Sequence, residues 1–295
     1  MNVRRLLKEF DIQPRKSLGQ NFLVDQRALE RIVEAAELGP EDIVLEIGPG
    51  LGTLTRLLAE RAGRVIAVEL DQRLVEILFQ TLADCPNVEI VQGDILQLDP
   101  AELIRNTKGL CSLVPLLLYK VVANLPYYIT SAVLRHLLTA KAKPKLMVVT
   151  VQLEVARRIT AKPGDLSLLA VSVQFYGQPR IVARIKASAF YPSPQVDSAV
   201  IRIDLYGRPV VEVDDADSFF EVVRAGFAQR RKQLRNALAA ELALPASEVA
   251  QALSRAGVNP KRRAQTLSIE EWAKVWREIQ ARFLSGSTHG AEPPC

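Results

Sequence analysis

The sequence predicts an α/β fold, in which a parallel sheet is covered by helices on both faces, followed by a small all-α domain. Two observations support this prediction. Over most of the chain, short apolar runs typical of strands alternate with helical patterns, which is the order that βαβ units require. Beyond Gly207-Arg208-Pro209, helical periodicity continues without a convincing strand.

The elements follow one another in a regular order. The N-terminal part contains a basic segment, the polar loop KSLGQNFLVD and a helical pattern over Gln26–Glu37 that stops at Gly39-Pro40. The strand candidates are Ile43–Ile47, Val65–Leu70, Val88–Gln92, Lys120–Ala123, Leu146–Val151, Val182–Lys186 and Ala199–Leu205. Helices are predicted between the first three strands, at Thr53–Arg61 and Gln72–Leu82. Leu166–Tyr176 is apolar enough for either a helix or a strand.

The C-terminal third has a different character. Its helical patterns cover Ser218–Ala228, Lys232–Glu241, Ser247–Ala256 and Ile269–Phe283. We therefore predict a catalytic domain over residues 1–206 with a basic N-terminal arm, a helical domain over 207–284 and a disordered tail over 285–295.

Several kinds of catalytic centre are disfavoured by composition. The chain has only two histidines, His136 in a helical pattern and His289 near the C-terminus, which is unfavourable for zinc hydrolases and Ser-His-Asp triads. Its cysteines, Cys85, Cys111 and Cys295, are widely spaced and fit neither a disulfide framework nor a CxxC metal site. No metal is expected.

Charge and hydropathy bear on location and partners. The longest apolar run, Leu110–Val122, is interrupted by Pro115 and is shorter than the roughly 18 residues that span a bilayer. The N-terminus lacks the apolar core of a secretory signal, so we expect a cytoplasmic protein without a membrane partner. The formal net charge of +5 permits a polyanionic partner but does not require one.

A glycine-rich turn and two acidic strand ends predict a nucleoside site. Val44–Gly52 is a strand that enters a GxGxG turn, whereas a dinucleotide fingerprint has GxGxxG. Glu69 ends the next strand 21 residues after Gly48, the distance expected for an acid that binds ribose hydroxyls. Asp94 follows the third strand and can accept a hydrogen bond from a purine amine. These strand ends share one edge of the sheet and need not hold phosphate, a description that S-adenosylmethionine fits.

The turn after the fourth strand carries the candidate chemistry. Its sequence, VANLPYY, places Asn124 at the carboxyl end of that strand, beside the same site. An aromatic amine such as adenine N6 is a poor nucleophile because its lone pair is shared with the ring. An Asn side-chain oxygen and a backbone carbonyl, both accepting its hydrogens, would localise that pair, and a following tyrosine would stack on the base. Pro126 stiffens the turn.

Seven motifs, in order, resemble those of the ribosomal RNA adenine dimethyltransferase family, and most closely its small-subunit branch. They are KSLGQNFLVD, VLEIGPGLGTLT, VIAVELD, QGDIL, VANLPYYIT, FYPSPQVDSAVIRI and FAQRRKQLRNAL, and the resemblance as a whole extends from about Lys16 to Trp272. The resemblance implies a Rossmann-like class I S-adenosylmethionine-dependent methyltransferase with a small helical C-terminal domain. It further implies a monomer that dimethylates two adjacent adenosines near the 3′ end of 16S rRNA in the pre-30S particle.

The resemblance also assigns roles to residues. It places the cofactor contacts at Asn21, Leu23, Gly48, Glu69, Asp94 and Asn124. Asn124, Leu125 and Tyr127 would hold the amine and stack on the base, and Phe190 would contact the other face of the base, unless it serves only in loop packing. Tyr128 departs from the family, since many members have Asn there.

Basic residues of the helical domain are the candidates for RNA binding. They are Arg224, Arg230, Arg231, Lys232 and Arg235, in a stretch of predicted helix that contains no acid from Arg224 to Asn236. A second cluster, Lys261-Arg262-Arg263, and an N-terminal arm with Arg4, Arg5, Arg15 and Lys16 add further positive charge. A solvated surface is the alternative for each of these groups.

Other functions remain open at this point. An erythromycin-resistance-type methylase of 23S rRNA would share the fold, although PQVDSAVIRI and QRRKQLRN favour the small-subunit branch. A non-catalytic nucleic-acid-binding relative is disfavoured by the intact Glu69, Asp94 and Asn124.

Overall fold

The computed structural model describes residues 3–105 and 118–284. The chain divides into two compact units, one from Met1–Thr160 and Gly177–Gly207 and the other from Ala161–Tyr176 and Arg208–Cys295. Residues 161–176 thus belong to the second unit, whereas the predicted first domain included them. The predicted tail and residues 110–117 of the longest apolar run lie outside the described residues. No helix in the described ranges is long and apolar enough to cross a membrane.

The first unit alternates strands and helices as predicted. Its strands are β1 (Phe22–Leu23), β2 (Ile43–Ile47), β3 (Arg64–Glu69), β4 (Val88–Gln92), β5 (Tyr119–Asn124), β6 (Leu146–Gln152), β7 (Gly177–Ile185), β8 (Phe190–Tyr191) and β9 (Ser198–Leu205). Its helices are α1 (Val3–Glu9), α2 (Gln26–Ala36), α3 (Thr53–Ala59), α4 (Gln72–Thr81), α5 (Pro100–Arg105), α6 (Thr130–Thr139) and α7 (Leu153–Ile159). The seven predicted strands and the three predicted helices of this part are confirmed, with ends that differ by a few residues.

The main sheet has seven strands in the order β4-β3-β2-β5-β6-β9-β7. Strands β2 to β6 are parallel, but β9 runs antiparallel to both β6 and β7. The prediction of a parallel sheet is therefore right for β2 to β6 and wrong for β9, which lies between β6 and β7 and runs opposite to both. The chain between β7 and β9 contains only a 3₁₀ turn and the short β8, without the crossover helix that a parallel connection needs.

Strand register brings the predicted strand ends together. Ile47, at the end of β2, is paired with Val68 in β3 on one side and Ala123 in β5 on the other. Glu69 at the end of β3 is paired with Gln92 at the end of β4. The glycine turn and the segments that follow β3, β4 and β5 therefore leave the sheet at the same edge.

The second unit is helical. Its helices are α8 (Leu168–Tyr176), α9 (Ala216–Ala228), α10 (Leu234–Glu241), α11 (Ala246–Arg255) and α12 (Ile269–Ile279), with a π-helical turn at Gln280–Leu284. The ambiguous segment Leu166–Tyr176 is thus mainly helix. Phe175 in α8 stacks on Phe219 in α9 with ring centroids 4.9 Å apart, and this packing explains why the segment belongs here. A capping box of Ser268 and Glu271 begins α12.

Candidate active site

One cleft in the first unit contains every residue that the sequence assigned to the cofactor or to the chemistry. Its lining includes Asn21, Leu23, Gly48, Glu69, Asp94, Asn124, Leu125, Tyr127 and Phe190. The cleft is formed by the carboxyl ends of the central parallel strands and by the segment that precedes α2. The side chains that follow β2, β3, β4 and β5 lie close together because the register of these strands brings their carboxyl ends to one edge of the sheet.

The glycine turn requires its glycines. Gly48, Gly50 and Gly52 have φ values of 69°, 61° and 82°, a left-handed region that side chains rarely adopt. A Cβ on Gly50 would also lie only 3.1 Å from the ring of Phe22. The backbone of this turn therefore bends sharply between β2 and α3 and leaves the cleft open beside it.

Glu69 is held in place by backbone groups of the turn. Its Oε2 accepts a hydrogen bond from Gly50 N at 3.1 Å, and its Oε1 accepts one from Asp71 N at 2.9 Å. The side chain is nearly buried, and this burial raises the pKa of its carboxyl. Because a carboxylate has about four acceptor positions, its remaining capacity suits a hydroxyl such as those of a ribose.

Asp94 lies after β4 and presents a second acceptor to the cleft. Its Oδ1 accepts a hydrogen bond from Leu96 N at 3.0 Å, which fixes the carboxyl group in a turn. Its Oδ2 accepts no hydrogen bond within the parts of the chain that the structure describes. That oxygen is suited to an exocyclic amine.

Asn124 and Leu125 place two acceptors side by side. Asn124 Nδ2 donates a hydrogen bond to the backbone oxygen of Asn21 at 3.2 Å, which orients the amide. Its Oδ1 and the carbonyl oxygen of Leu125 have no donor among the described residues. The side chain of Leu125 is buried, so its backbone is held firmly. This is the pair of acceptors that an aromatic amine would need.

The two aromatic candidates differ in their exposure. Tyr127 is partly buried, and its hydroxyl lies 2.7 Å from Ser198 Oγ. Burial raises the pKa of this phenol, so it stays neutral and is positioned by that hydrogen bond. Phe190 is only 3% exposed and packs in a core cluster with Leu23 and Leu29, while part of it lines the cleft. Its packing role is therefore visible, and its contact with a base stays a prediction.

Glu46, which the sequence reasoning missed, also lines the cleft. It lies in β2, is 1% exposed, and its Oε2 has no hydrogen-bond partner within the described ranges of the chain. Burial, with a smaller contribution from the charge of Glu69, raises the pKa of Glu46 to about 8. A charged residue within the otherwise apolar run IVLEI was the available signal for this position.

The basic residues of the second unit do not share one helix, as the separate helical patterns Ser218–Ala228 and Lys232–Glu241 indicate, but the expectation that residues 230–232 are helical is wrong. Arg224 lies on α9 and Arg235 on α10, whereas residues 230–232 form the turn between them. In a continuous helix Leu234 N would donate to the carbonyl of residue 230, but here it donates to Arg262 O at 2.7 Å. Arg235 N likewise donates to Pro260 O at 3.3 Å.

These backbone bonds bring the two basic clusters of the second unit together. The side chains of Arg224, Arg230, Arg231 and Lys232 are exposed, and so are those of Lys261 and Arg263. Arg262 is different, because its guanidinium pairs with both carboxylate oxygens of Glu271. Arg235 is partly buried, and its Nε has no hydrogen-bond partner among the residues that the structure describes.

Comparison with known proteins establishes the family. Residues 12–281 match the family described as ribosomal RNA adenine dimethylase. The chain belongs to this family. The ribosomal RNA small subunit methyltransferase A of Dehalococcoides mccartyi strain 195 is 49% identical over 92% of this chain and 90% of its own length. The protein of the same name from Moorella thermoacetica is 48% identical over 93% of this chain and 96% of its own length.

Solved structures confirm the fold class. The 23S rRNA methyltransferase ErmE is 32% identical and superposes with a TM-score of 0.68 over 88% of this chain and 100% of its own. A dimethyladenosine transferase from Plasmodium falciparum, at 23% identity, has the same fold, with a TM-score of 0.72 over 88% and 98% of the two chains. The chain therefore has the Rossmann-like fold of class I S-adenosylmethionine-dependent methyltransferases, with a helical C-terminal region. In its described part, no group of three or more His, Cys, Asp or Glu side chains is placed to hold a metal ion.

Proposed function

We propose that this chain is an rRNA adenine N6,N6-dimethyltransferase. It transfers methyl groups from S-adenosylmethionine to two adjacent adenosines near the 3′ end of 16S rRNA, in the pre-30S particle, in the cytoplasm and as a monomer. The observation that carries this proposal is the pair of open acceptors, Asn124 Oδ1 and Leu125 O, beside the acidic cleft. The names and high identities of the small-subunit relatives support the choice of substrate.

The residues of the cleft fit the cofactor. Glu69 keeps acceptor capacity at the end of β3, and Asp94 Oδ2, after β4, has no donor among the described residues, as a ribose and an adenine amine require. The turn at Gly48 lets backbone approach a ligand without an intervening Cβ. Asn21 and Leu23 line the same cleft. When bound, S-adenosylmethionine supplies an electrophilic methyl group on a sulfonium.

The chain activates the amine by orienting it. Asn124 Oδ1 and Leu125 O accept its two hydrogens, which localises the nitrogen lone pair and turns it toward the methyl group. Tyr127 supports the ring of the base by stacking, worth about 1–3 kcal/mol per base. A strong general base is unnecessary because the methylated nitrogen readily loses its proton. Orientation is therefore the main contribution of the protein.

RNA binding is assigned to the exposed basic side chains. Those of the second unit are Arg224, Arg230, Arg231 and Lys232, with Arg235 beside them, and the adjoining Lys261 and Arg263 extend the same surface. Phosphate contacts by such groups give affinity without sequence specificity. The N-terminal arm contributes Arg4, which lies 5.2 Å over the ring of Tyr191, next to the cleft residue Phe190.

A 23S rRNA methylase is the second candidate, because ErmE shares the fold at 32% identity. A methyl-transfer assay on separated ribosomal subunits distinguishes the two. Labelled S-adenosylmethionine is incubated with unmethylated small or large subunits, and the RNA is digested to identify the nucleoside. We expect dimethyladenosine from the small subunit. Label confined to 23S rRNA would favour the second candidate, and absence of cofactor binding in calorimetry would favour a non-catalytic relative.

The role of Asn124 is tested in the same assay. Asn124→Ala removes one of the two acceptors and the hydrogen bond to Asn21, so we expect kcat to fall by about 10²-fold or more. Asn236→Ala, an exposed asparagine of α10, is the matched control and should retain full activity. Full methyl transfer by Asn124→Ala would refute the proposed chemistry.

A further inference from the structure

The segment 15–23 lines the cleft without belonging to the main sheet. Residues 18–23 contribute to the cleft, but the regular structure of the segment is limited to a 3₁₀ turn at Lys16–Leu18 and the two residues of β1. Asn21 in this segment provides the carbonyl that orients Asn124. The position of the segment therefore affects both the cofactor site and the chemistry, and specific contacts must fix it.

Gln20 supplies such a contact. Its Nε2 donates a hydrogen bond to Asp71 Oδ2 at 3.0 Å, and its Oε1 accepts one from Arg15 N at 2.8 Å. One side chain thereby joins the beginning of the segment to the residue that caps α4. Gln20 is only partly exposed, so these hydrogen bonds are shielded from competing water.

Asp71 is a rigid and charged anchor. Its side chain is 1% exposed and accepts hydrogen bonds from Arg73 N at 3.2 Å and Arg73 Nη2 at 2.7 Å. Burial alone would raise the pKa of Asp71, but the hydrogen bonds from Arg73 and Gln20 outweigh it and keep the pKa below its ordinary value. Its backbone N–H donates to Glu69, so the anchor is fixed to the candidate ribose-binding residue.

We propose that the hydrogen bond from Gln20 to Asp71, here called the Gln20–Asp71 bridge, holds the segment 15–23 in the conformation that binds S-adenosylmethionine and orients Asn124. Gln20 and Asp71 are then positioning residues, which act through Asn21 and Glu69. This inference rests on the proposed function for the identity of the cofactor. Neither Gln20 nor Asp71 contacts the amine or the methyl group in the proposed reaction.

The geometry around Gly19 shows why one side-chain bridge has such an effect. Gly19 has a φ of 60°, and a Cβ there would lie 3.2 Å from Cδ1 of Tyr128. The segment thus packs closely against the turn that follows Asn124. The bridge holds one side of the segment, and this packing and the Asn124–Asn21 hydrogen bond hold the other. Arg15 Nη1, 3.6 Å from Asp71 Oδ1, and the pairing of β1 with β8 still hold the ends of the segment, so loss of the bridge is expected to shift its middle residues locally.

The first test is Gln20→Ala, compared with Gln26→Ala. Gln26 is exposed and bonds only to Glu30, so it is a matched control for loss of a glutamine side chain. Since a hydrogen bond to a charged group is lost, we expect S-adenosylmethionine affinity, measured by calorimetry, to fall about tenfold in Gln20→Ala. The control should keep wild-type affinity and melting temperature, and Gln20→Ala should stay folded with a melting temperature lowered by only a few degrees. Equal affinities of the two variants would overturn the proposal.

The second test exchanges the polarity of the bridge. Gln20→Glu places two carboxylates against each other, and Asp71→Asn replaces the acceptor, so each single change should weaken cofactor binding by about tenfold or more. In the double variant the amide introduced at position 71 can donate to the carboxylate introduced at position 20, but the ion pairs of Asp71 with Arg15 and Arg73 stay lost. We therefore expect the double variant to lose less affinity than the sum of the two single losses. Purely additive losses would contradict a direct interaction.

These readouts separate the bridge from the overall function. Wild-type chain that binds the cofactor but leaves small-subunit RNA unmethylated would refute the proposed substrate, while the affinity comparison would still test the bridge. A Gln20→Ala chain with undiminished affinity and full methylation would refute the bridge alone.

Discussion

Glu46 introduces a pH dependence into the stability of the first unit. Its carboxyl is buried, and its pKa is raised to about 8, largely by that burial. The folded chain therefore retains a proton that the unfolded chain releases near the ordinary pKa of 4.5. Since the folded state binds more protons, the stability from this group is complete below pH 4.5 and is lost as the pH rises to about 8.

Glu46→Gln removes this titration while keeping the size of the side chain. We expect the free energy of unfolding of the wild type to fall between pH 6 and pH 8.5, and that of Glu46→Gln to fall less. Urea denaturation of the cofactor-free chain at both pH values measures this difference. Parallel profiles for the two proteins would show that Glu46 is ionised in the folded state at neutral pH.

At the scale of residues, much of the site could be predicted because the carboxyl ends of parallel strands lie at the same edge of a sheet. Glu69, Asp94 and Asn124 each follow an apolar run, and the glycine turn identifies the edge where they meet. The Gln20–Asp71 bridge could not be predicted, since it joins side chains 51 residues apart whose pairing depends on the loop conformation. Such contacts leave no periodic signal in the sequence.

The end of helix α2 shows how an element is stabilised by residues far away in the chain. Lys120 in β5 is 6% exposed, and its ammonium donates to the carbonyls of Ala36 and Glu37 at 3.1 and 2.7 Å and to Asp42 at 2.8 Å. A cation at this position satisfies orphan carbonyls and interacts favourably with the helix dipole.

Lys120→Met tests this cap. It leaves two carbonyls and a carboxylate without their donor, so we expect the free energy of unfolding to fall by about 2–4 kcal/mol. Lys141→Met, at an exposed loop position, should change it by less than about 0.5 kcal/mol. Chemical denaturation of the three proteins provides the comparison. Equal stability of the two variants would mean that water replaces the ammonium at no cost.

At the scale of elements, helices with strong amphipathic patterns and capping residues could be located from the sequence, as α2, α4 and α12 were. The direction of β9 could not, because alternation of apolar residues is the same in parallel and antiparallel strands of a buried sheet. The break between α9 and α10 was predicted, but the conformation of the turn at residues 230–232 was not. It depends on backbone bonds from Leu234 and Arg235 to a loop some 25 residues further along the chain.

For the whole molecule, the net charge of +5 says little about RNA binding, because it does not show which cations lie next to one another on the surface. The exposed cations of the turn 230–232 lie beside the exposed Lys261 and Arg263. The charge of Arg262, between these two residues, is neutralised by Glu271. The N-terminal arm forms a separate basic group in the first unit. Both units thus carry exposed cations. If these contact RNA phosphates as proposed, the affinity for RNA should fall steeply as the salt concentration rises.

A salt titration of RNA binding tests the contribution of the second unit. Replacing Arg230, Arg231 and Lys232 by Ala removes three exposed cations, so the slope of log K against log salt should become less steep by about 2–3. Replacing Lys141, Lys143 and Lys145 by Ala in the loop before β6 is the matched control, since both triple variants lower the formal net charge from +5 to +2. If phosphates contact residues 230–232 directly, only the first variant changes the slope. Equal changes would mean that the overall field of the protein, and not this turn, attracts the RNA.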